Sequence, residues 1–237
     1  MLPVLVRAES EVTVYYPHQY TTIQVNDAGN LAQLIMRPAI NGRTWWPATI
    51  ISTPQATVAA RVEKQALLAG LQQLADRLSV NDDPMAGVVR SVWRQVNVIR
   101  VTGRQIVKLD PDWVRLRPED NRRLQGRYQL YTATRPDSVQ LAGVVSQPGT
   151  VPWQPGKTVA DYLATTTRVP GAERNVALLI TPEGTIQKVP VAYWNRRHVE
   201  PPAGSIIFVG FGRWSLPEDE AVINRRFLSV LTHRIPD

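Results

Sequence analysis

The side chains best suited to chemistry lie together in the segment DPDWVRLRPEDNRR, at residues 110–123. On an extended chain, Trp113, Arg115 and Arg117 share one face, because alternate residues of a strand point the same way. An arginine fork binds a carboxylate through two parallel hydrogen bonds, and the face of a tryptophan ring suits a sugar. These three residues are therefore the candidate ligand-binding site, for an acidic glycan or a peptide. The alternative is that Arg115 or Arg117 pairs with an acidic residue at the seam between two domains.

Patterns typical of catalytic or metal sites are weak in this sequence. The three histidines lie far apart without metal-ligand spacing, and the absence of cysteine excludes thiolate catalysis and cysteine-built zinc sites. Neither common phosphate-loop spacing occurs, and the segment around Ser146 is not a nucleophile elbow. Asp110 and Asp112 could serve as a glycosidase pair, but Asp-Pro-Asp is more often a turn. We therefore expect no catalytic residue, no metal and no cofactor.

The composition is that of a globular protein with excess positive charge. The 237 residues suffice for one large domain or two small ones, and 43% of them are hydrophobic. The net charge is +7, and 23 of the 27 basic residues are arginine. A basic surface can attract nucleic acid, anionic lipid or polysaccharide. Here the basic residues are scattered and not gathered into one stripe, so a solvated surface is favoured and no nucleic-acid partner is expected.

The two ends of the chain bear on its localisation. No apolar run approaches the roughly 18–20 residues of a membrane-spanning helix. The start, MLPVLVRAE, lacks the basic and apolar regions of an intact signal peptide, and we interpret it as a mature chain with an added Met. The last segment, at 217–235, is predicted to be an amphipathic helix with a narrow apolar face. We favour its docking on its own domain over insertion in a membrane.

The elements that would position the candidate site alternate between strand and helix patterns. A hairpin is predicted at 12–25, followed by a helix with Asn26 or Asp27 as its cap. Helical periodicity covers 53–79, the residues NDDP interrupt it, and 85–96 predicts a second, shorter helix. Two helices joined by a short polar turn form a helical hairpin.

Two parts of the chain resemble each other in sequence and in the order of their elements. The segment 96–113 resembles 176–194, and 124–133 resembles 202–211, where a glycine turn leads into a final strand. Each copy is predicted to run hairpin, helix, strand, strand, final strand, with the helical hairpin interrupting the first copy. A hairpin that packs one helix across its own sheet is the start of a β-grasp fold.

The hairpin and helix of the second copy are the clearest, in VQLAGVVSQPGTVPWQPGKTVADYL at 139–163. Alternating apolar residues predict a strand, and Pro-Gly pairs predict the turns on either side of a short return strand. Thr158 is a good helix cap, with Asp161 in the first turn.

With PPAGSIIFV further on, this stretch resembles the SLBB (soluble ligand-binding β-grasp) domains of bacterial polysaccharide-export proteins over residues 139–214. Two departures are visible. The family's Ala-Gly-Gly after the helix is TTTRVPGAE here, and its Gly-Asp at the late strand is Gly204–Ser205 here. A family role that depends on that Asp therefore does not carry over.

Over the whole chain, the arrangement looks like the GfcC-like proteins of group 4 capsule operons, which resemble the two SLBB domains of the outer-membrane polysaccharide exporter Wza. The resemblance implies a non-enzymatic periplasmic accessory protein of capsule polysaccharide assembly or export, whose signal peptide has been removed. Its expected partners are polysaccharide or capsule-assembly proteins. The alternative is a polysaccharide-modifying enzyme with a cleft around Trp113 and Arg115, which would show a deep pocket holding Arg115 beside a carboxylate.

The predicted fold class is α+β, with two tandem β-grasp (SLBB/ubiquitin-like) domains. The first domain is placed at 10–136, with the helical hairpin inserted at 53–95. The second domain is placed at 137–214, and the C-terminal amphipathic helix at 215–237.

Overall fold

The computed structural model describes residues 10–17, 22–42, 44–81, 83–167, 169–216 and 220–236. The predictions for the start MLPVLVRAE, for His18 and for the helix start at 217–219 lie outside these residues. The chain divides into two compact units. Unit 1 comprises the described residues of Met1–Val58, Thr102–Thr134 and Ile235–Asp237, and unit 2 those of Ala59–Val101 and Arg135–Arg234.

The described residues form nine β-strands and seven α-helices. The strands are β1 (Ser10–Tyr15), β2 (Thr22–Asn26), β3 (Ile50–Ser52), β4 (Gly126–Tyr131), β5 (Ser138–Gly143), β6 (Gly149–Pro152), β7 (Val176–Ile180), β8 (Ile186–Pro190) and β9 (Ile206–Val209). The helices are α1 (Leu31–Ile35), α2 (Pro38–Asn41), α3 (Pro54–Val80), α4 (Met85–Val98), α5 (Pro111–Leu116), α6 (Val159–Ala164) and α7 (Glu220–Thr232). Short 3-10 helices lie at Trp46–Ala48 and Pro118–Asp120.

Unit 1 is built on a four-stranded sheet with the order β2-β1-β4-β3. Strand β1 pairs antiparallel with β2 and parallel with β4, and β3 pairs antiparallel with β4. Val12 and Val14 of β1 are buried against Leu31 and Leu34 of α1. A hairpin that packs a helix and places its first strand parallel to the last strand has the β-grasp arrangement.

Helix α1 begins three or four residues later than the sequence predicts. Its cap is Asn30, whose side-chain oxygen accepts a hydrogen bond from the Gln33 N–H at 2.9 Å. The predicted caps, Asn26 and Asp27, are wrong because Asn26 is the last residue of β2 and Asp27 has a φ of 70°. The chain is thus still leaving the sheet at the predicted start.

The third strand of unit 1 also differs from the prediction. Helix α4 continues to Val98, and no strand covers residues 99–109, where an isolated bridge joins Arg104 to Ser52. The Gln105 N–H donates to the Ile51 carbonyl oxygen at 2.8 Å, so this segment occupies the fourth-strand position beside β3. The helical hairpin therefore interrupts the turn between the third and fourth strands, and matching 96–101 to β7 is wrong.

Unit 2 carries a five-stranded sheet with the order β6-β5-β9-β7-β8. Strand β5 pairs antiparallel with β6 and parallel with β9, and β7 pairs antiparallel with β8 and β9. As in unit 1, the first strand lies between the second and the last. The chain thus contains two tandem β-grasp domains, and the predicted fold class is confirmed.

The sheet of unit 2 is covered by helices on both faces. All four residues of β9 are buried, and alternate residues of a strand point to opposite faces. Ile207 belongs to a core with Tyr162 of α6. Phe208 belongs to a second core that includes α3, α4 and α7, and its ring meets Phe227 edge to face with centroids 5.1 Å apart. The continuous apolar run IIFV is typical of a strand buried in this way.

The helical hairpin is inserted in the chain order of unit 1 but packs within unit 2. The Thr53 hydroxyl accepts a hydrogen bond from the Ala56 N–H at 3.3 Å, which caps the start of α3. The buried residues Leu74 of α3 and Val92 of α4 belong to the core that covers the sheet of unit 2. Lys64 closes the end of α4, because its ammonium donates to the carbonyl oxygens of Asn97 and Ile99 at 2.8 and 2.7 Å.

Helix α7 docks on the sheet of unit 2 through apolar and polar contacts. Phe227 and Leu231 are each only 1% exposed. The Asn224 amide accepts from the Phe211 N–H and donates to the Phe211 carbonyl oxygen, each at 2.8 Å. No helix within the described residues is both long enough and apolar enough to cross a membrane.

Candidate functional site

The predicted site residues lie on a short helix and not on an extended chain. The Asp110 carboxylate accepts a hydrogen bond from the Trp113 N–H at 2.9 Å, and Pro111 occupies the first position of α5. An Asp cap followed by proline favours a helix start. The prediction that Trp113, Arg115 and Arg117 alternate along a strand is therefore wrong.

The structure nevertheless brings Trp113 and Arg117 together. The Arg117 guanidinium lies over the Trp113 ring, 4.0 Å from its centroid, and the Lys108 ammonium lies 5.7 Å away. The indole N–H donates to Asp120 Oδ2 at 2.6 Å. Because Trp113 is 37% exposed, a ligand can reach it, but Arg117 already covers part of the ring. A cation over an indole face contributes about 0.5–1 kcal/mol at an exposed site.

Arg115 takes a separate position on α5. It pairs with Asp112 of its own helix at 3.2 Å, and the two side chains are 68% and 82% exposed. Such an exposed pair stabilises a fold by about 0–1 kcal/mol. Arg115 therefore lies at the surface. Its ion-pair partner is Asp112, three residues earlier on α5, and not a carboxylate in a deep pocket. Ligand binding by Trp113, Arg115 and Arg117 stays a prediction.

Unit 2 contains a cavity of about 420 Å³ that the sequence did not reveal. Its walls are the residues that follow β5, the carboxyl end of β9, helix α6 and the loop after it. Nine of its fifteen lining residues are aliphatic, among them Val145, Leu163, Val169 and Val209. The lining residues come from segments far apart in the chain, so no local sequence pattern indicated this cavity.

The mouth of the cavity carries charged and aromatic side chains. The Glu173 carboxylate accepts hydrogen bonds from the N–H groups of Arg174 and Asn175, at 2.9 and 2.8 Å. Arg196 pairs with Asp161 of α6 at 2.5 Å. Tyr193 follows β8 and is fully exposed. The cavity therefore combines an aliphatic floor with a polar mouth.

Asp161 has a lowered pKa because it is hydrogen-bonded in its charged form. The Thr158 hydroxyl and N–H donate to its carboxylate at 2.5 and 3.0 Å, and these bonds lower the pKa most. The Arg196 charge lowers it further, while desolvation acts in the opposite direction. The carboxylate is thus held ionised beside the mouth of the cavity.

Neither region has the composition of a metal centre. Among the residues that the structure describes, no three His, Cys, Asp or Glu side chains lie close enough together to hold a metal ion. The groups that these regions offer to a ligand are the apolar side chains of the cavity, and the cations, carboxylates and aromatic rings around Trp113 and Tyr193.

Two family models match the chain, one for each half. The model described as "Capsule biosynthesis GfcC, N-terminal" matches residues 8–135, and that described as "Capsule biosynthesis GfcC C-terminal" matches residues 147–236. The chain belongs to the GfcC capsule biosynthesis family. The resemblance to GfcC-like proteins stated from the sequence is therefore confirmed, and membership in the GfcC family indicates a role in capsule biosynthesis.

A curated relative spans most of the chain. It is the protein named "Uncharacterized protein YjbG" of Escherichia coli strain K12, which is 41% identical over 209 residues. The match covers 88% of this chain and 84% of the relative. The match therefore extends through both β-grasp domains of this chain, and neither the name of the relative nor the descriptions of the GfcC models state a reaction.

Proposed function

We propose that this protein is a non-enzymatic periplasmic accessory of capsule polysaccharide assembly or export, which binds glycan or assembly proteins. The match of both halves to capsule biosynthesis GfcC models is the observation that carries the proposal. Two β-grasp domains supply sheets on which binding surfaces can be built without a catalytic centre.

The position of Arg115 favours the accessory role over the alternative of a polysaccharide-modifying enzyme. That alternative requires a deep pocket that holds Arg115 beside a carboxylate. The low dielectric constant of such a pocket would strengthen the attraction between the two charges. Arg115 instead forms an exposed pair with Asp112 on its own helix. A group so well solvated has little of the electrostatic preorganisation on which catalysis depends.

Deletion of the gene tests the proposal directly. We expect surface capsule to be lost on deletion and restored by the wild-type gene.

Two variants then test the candidate residues on α5. Complementation with Trp113→Ala is expected to lower surface capsule if the Trp113 ring, which Arg117 partly covers, binds glycan. Arg115→Ala should change the free energy of unfolding by less than about 1 kcal/mol. Capsule staining of intact cells and urea unfolding of the purified variants provide the two readouts.

Arg127→Ala is the matched control, because it removes another exposed arginine of unit 1 that belongs to β4 and not to α5. It should leave capsule unchanged. Normal capsule after deletion of the gene would contradict the proposed function. Recovery of the protein in the cytosolic fraction, and not in the osmotic-shock fluid, would contradict the periplasmic location.

A further inference from the structure

We propose that the cavity of unit 2 is a docking site for a partner protein, from which one large apolar side chain enters with carboxylates beside it. The inference rests on the proposed function, since it specifies the chemistry of an assembly partner. The cavity volume of about 420 Å³ is within the range of roughly 300–1,000 Å³ that is typical of ligand pockets.

The floor of the cavity favours an apolar group over a saccharide. Val145, Leu163 and Val209 contribute side chains that neither donate nor accept hydrogen bonds. A sugar hydroxyl buried against them would lose its water without a new partner, at a cost of about 1–3 kcal/mol. Full burial of a Leu or Phe side chain instead stabilises a complex by about 1.5–3 kcal/mol.

The mouth has the composition of a protein interface. Tyr193 is 100% exposed, and Trp194 beside it is 76% exposed, in the turn that follows β8. Aromatic residues and arginine are enriched where proteins meet, and they carry much of the binding energy there. An exposed tyrosine at the lining of the cavity, followed in the chain by an exposed tryptophan, therefore favours a surface that a partner covers.

One arginine at the mouth can receive a carboxylate of a partner. Arg196 is already paired with Asp161, and the Glu173 carboxylate is satisfied by two backbone N–H groups. Across the described ranges, no carboxylate lies within ion-pair distance of Arg174. Arg174 is therefore the cation available for an incoming carboxylate, and a bidentate contact would orient the partner segment.

Hydrogen bonds hold the walls in place before any partner binds. The Thr167 N–H donates to the Ser146 hydroxyl at 3.0 Å. The Glu173 N–H donates to the Gly210 carbonyl oxygen at 2.9 Å, and the Gly212 N–H to that of Gly171 at 2.8 Å. A preformed cavity lowers the ordering cost of association.

Three capped pentapeptides test the proposal on the full-length, nitrogen-15-labelled protein. The probe is acetyl-Asp-Leu-Phe-Asp-Leu-amide. One control replaces its apolar residues by serine, and the other replaces its aspartates by lysine. We expect the probe to shift the amide signals of Val145, Thr167 and Arg174 with a Kd on the order of 1 mM or tighter. Each control should bind at least about tenfold more weakly, a loss of about 1.4 kcal/mol.

Two variants test whether the peptide binds in the cavity. Ala164→Trp adds a ring at the lining and should abolish binding of the probe. Arg174→Glu should weaken the aspartate peptide and strengthen the lysine peptide. Arg127→Glu makes the same charge change on β4 in unit 1 and should alter neither affinity. Thermal unfolding of each variant identifies a loss of binding that comes only from a loss of folding.

Three outcomes would overturn the inference. The first is the absence of shifts at the cavity with the acidic apolar peptide, and the second is equal binding of the serine peptide. The third is shifts at the cavity with digalacturonate in place of the peptide, which would assign the cavity to an acidic saccharide and leave the accessory function standing. Peptide binding as expected, together with normal capsule after gene deletion, would instead reject the proposed function alone.

Discussion

At Gly103, where the chain returns to unit 1, the neighbouring backbone leaves no space for a side chain. A Cβ at this position would lie 2.2 Å from the Thr57 backbone nitrogen. The Gly103 N–H donates to the Thr57 hydroxyl at 2.9 Å, and the buried Thr102 hydroxyl donates to that of Ser52 at 2.8 Å. This small network satisfies polar groups that burial would otherwise leave without water.

Gly103→Ala is therefore predicted to destabilise unit 1 strongly, by about 3 kcal/mol or more, because backbone and not a flexible side chain occupies the space. Gly87→Ala is the matched control. Its added Cβ meets nothing within 4 Å on the exposed side of α4, so we expect a gain of about 0.5–1 kcal/mol. Urea unfolding of both variants measures the difference, and equal stability would contradict the close approach at Gly103.

At the scale of elements, helix α6 depends on a reciprocal cap. The Thr158 hydroxyl accepts from the Asp161 N–H at 3.2 Å, while the Asp161 carboxylate accepts from the Thr158 N–H at 3.0 Å. Since the pKa of Asp161 is lowered on folding, its stabilising contribution is present above the ordinary value of 3.8. That contribution is lost as the pH falls through the lowered pKa of the folded state.

Asp161→Ala is expected to lower the free energy of unfolding by about 1 kcal/mol at neutral pH, which is typical for the loss of a helix cap. The difference from wild type should shrink as the pH falls below about 4. Asp76→Ala, an exposed carboxylate within α3, should change stability by less than about 0.5 kcal/mol. Urea titrations at several pH values test this, and a difference independent of pH would contradict the role of the carboxylate.

At the scale of the whole molecule, the helical hairpin lies within the sequence of the first β-grasp domain but packs in the core of unit 2. Helix α3 follows β3 of unit 1 directly, yet Leu74 and Val92 are buried in the core of unit 2. The hairpin covers the face of the sheet that carries Phe208. Its contribution to stability therefore belongs to unit 2, although it interrupts the first β-grasp copy.

Leu74→Ala is predicted to cost about 2–5 kcal/mol, because it leaves a cavity in that core. The loss should appear as faster native-state hydrogen exchange in β5 and β9, with exchange in β1 and β4 unchanged. Val62→Ala removes an exposed apolar side chain of α3 and should have little effect. Exchange that accelerates equally in β1 would contradict the assignment of the hairpin to unit 2.

Local chemistry explains which elements could be predicted from the sequence. The Thr53-Pro54 start, the NDDP interruption and the Thr158 cap each act within a few residues, and the structure has all three. The prediction of an extended chain within 110–123 is wrong, and the cause is again local. The Asp110 cap and Pro111 favour a helix more strongly than alternation favours a strand. The residues that favour a helix here are therefore local ones.

Hairpin turns, helix caps and apolar periodicity involve neighbouring residues, so the β-grasp hairpins and the helical hairpin could be predicted from the sequence. The GfcC family was predicted from the resemblance of sequence motifs. The packing of the helical hairpin in unit 2 and the cavity beside α6 became visible in the folded structure alone. Both results depend on contacts between residues far apart in the chain, such as Val145 with Val209, and spacing along the sequence carries no record of these contacts.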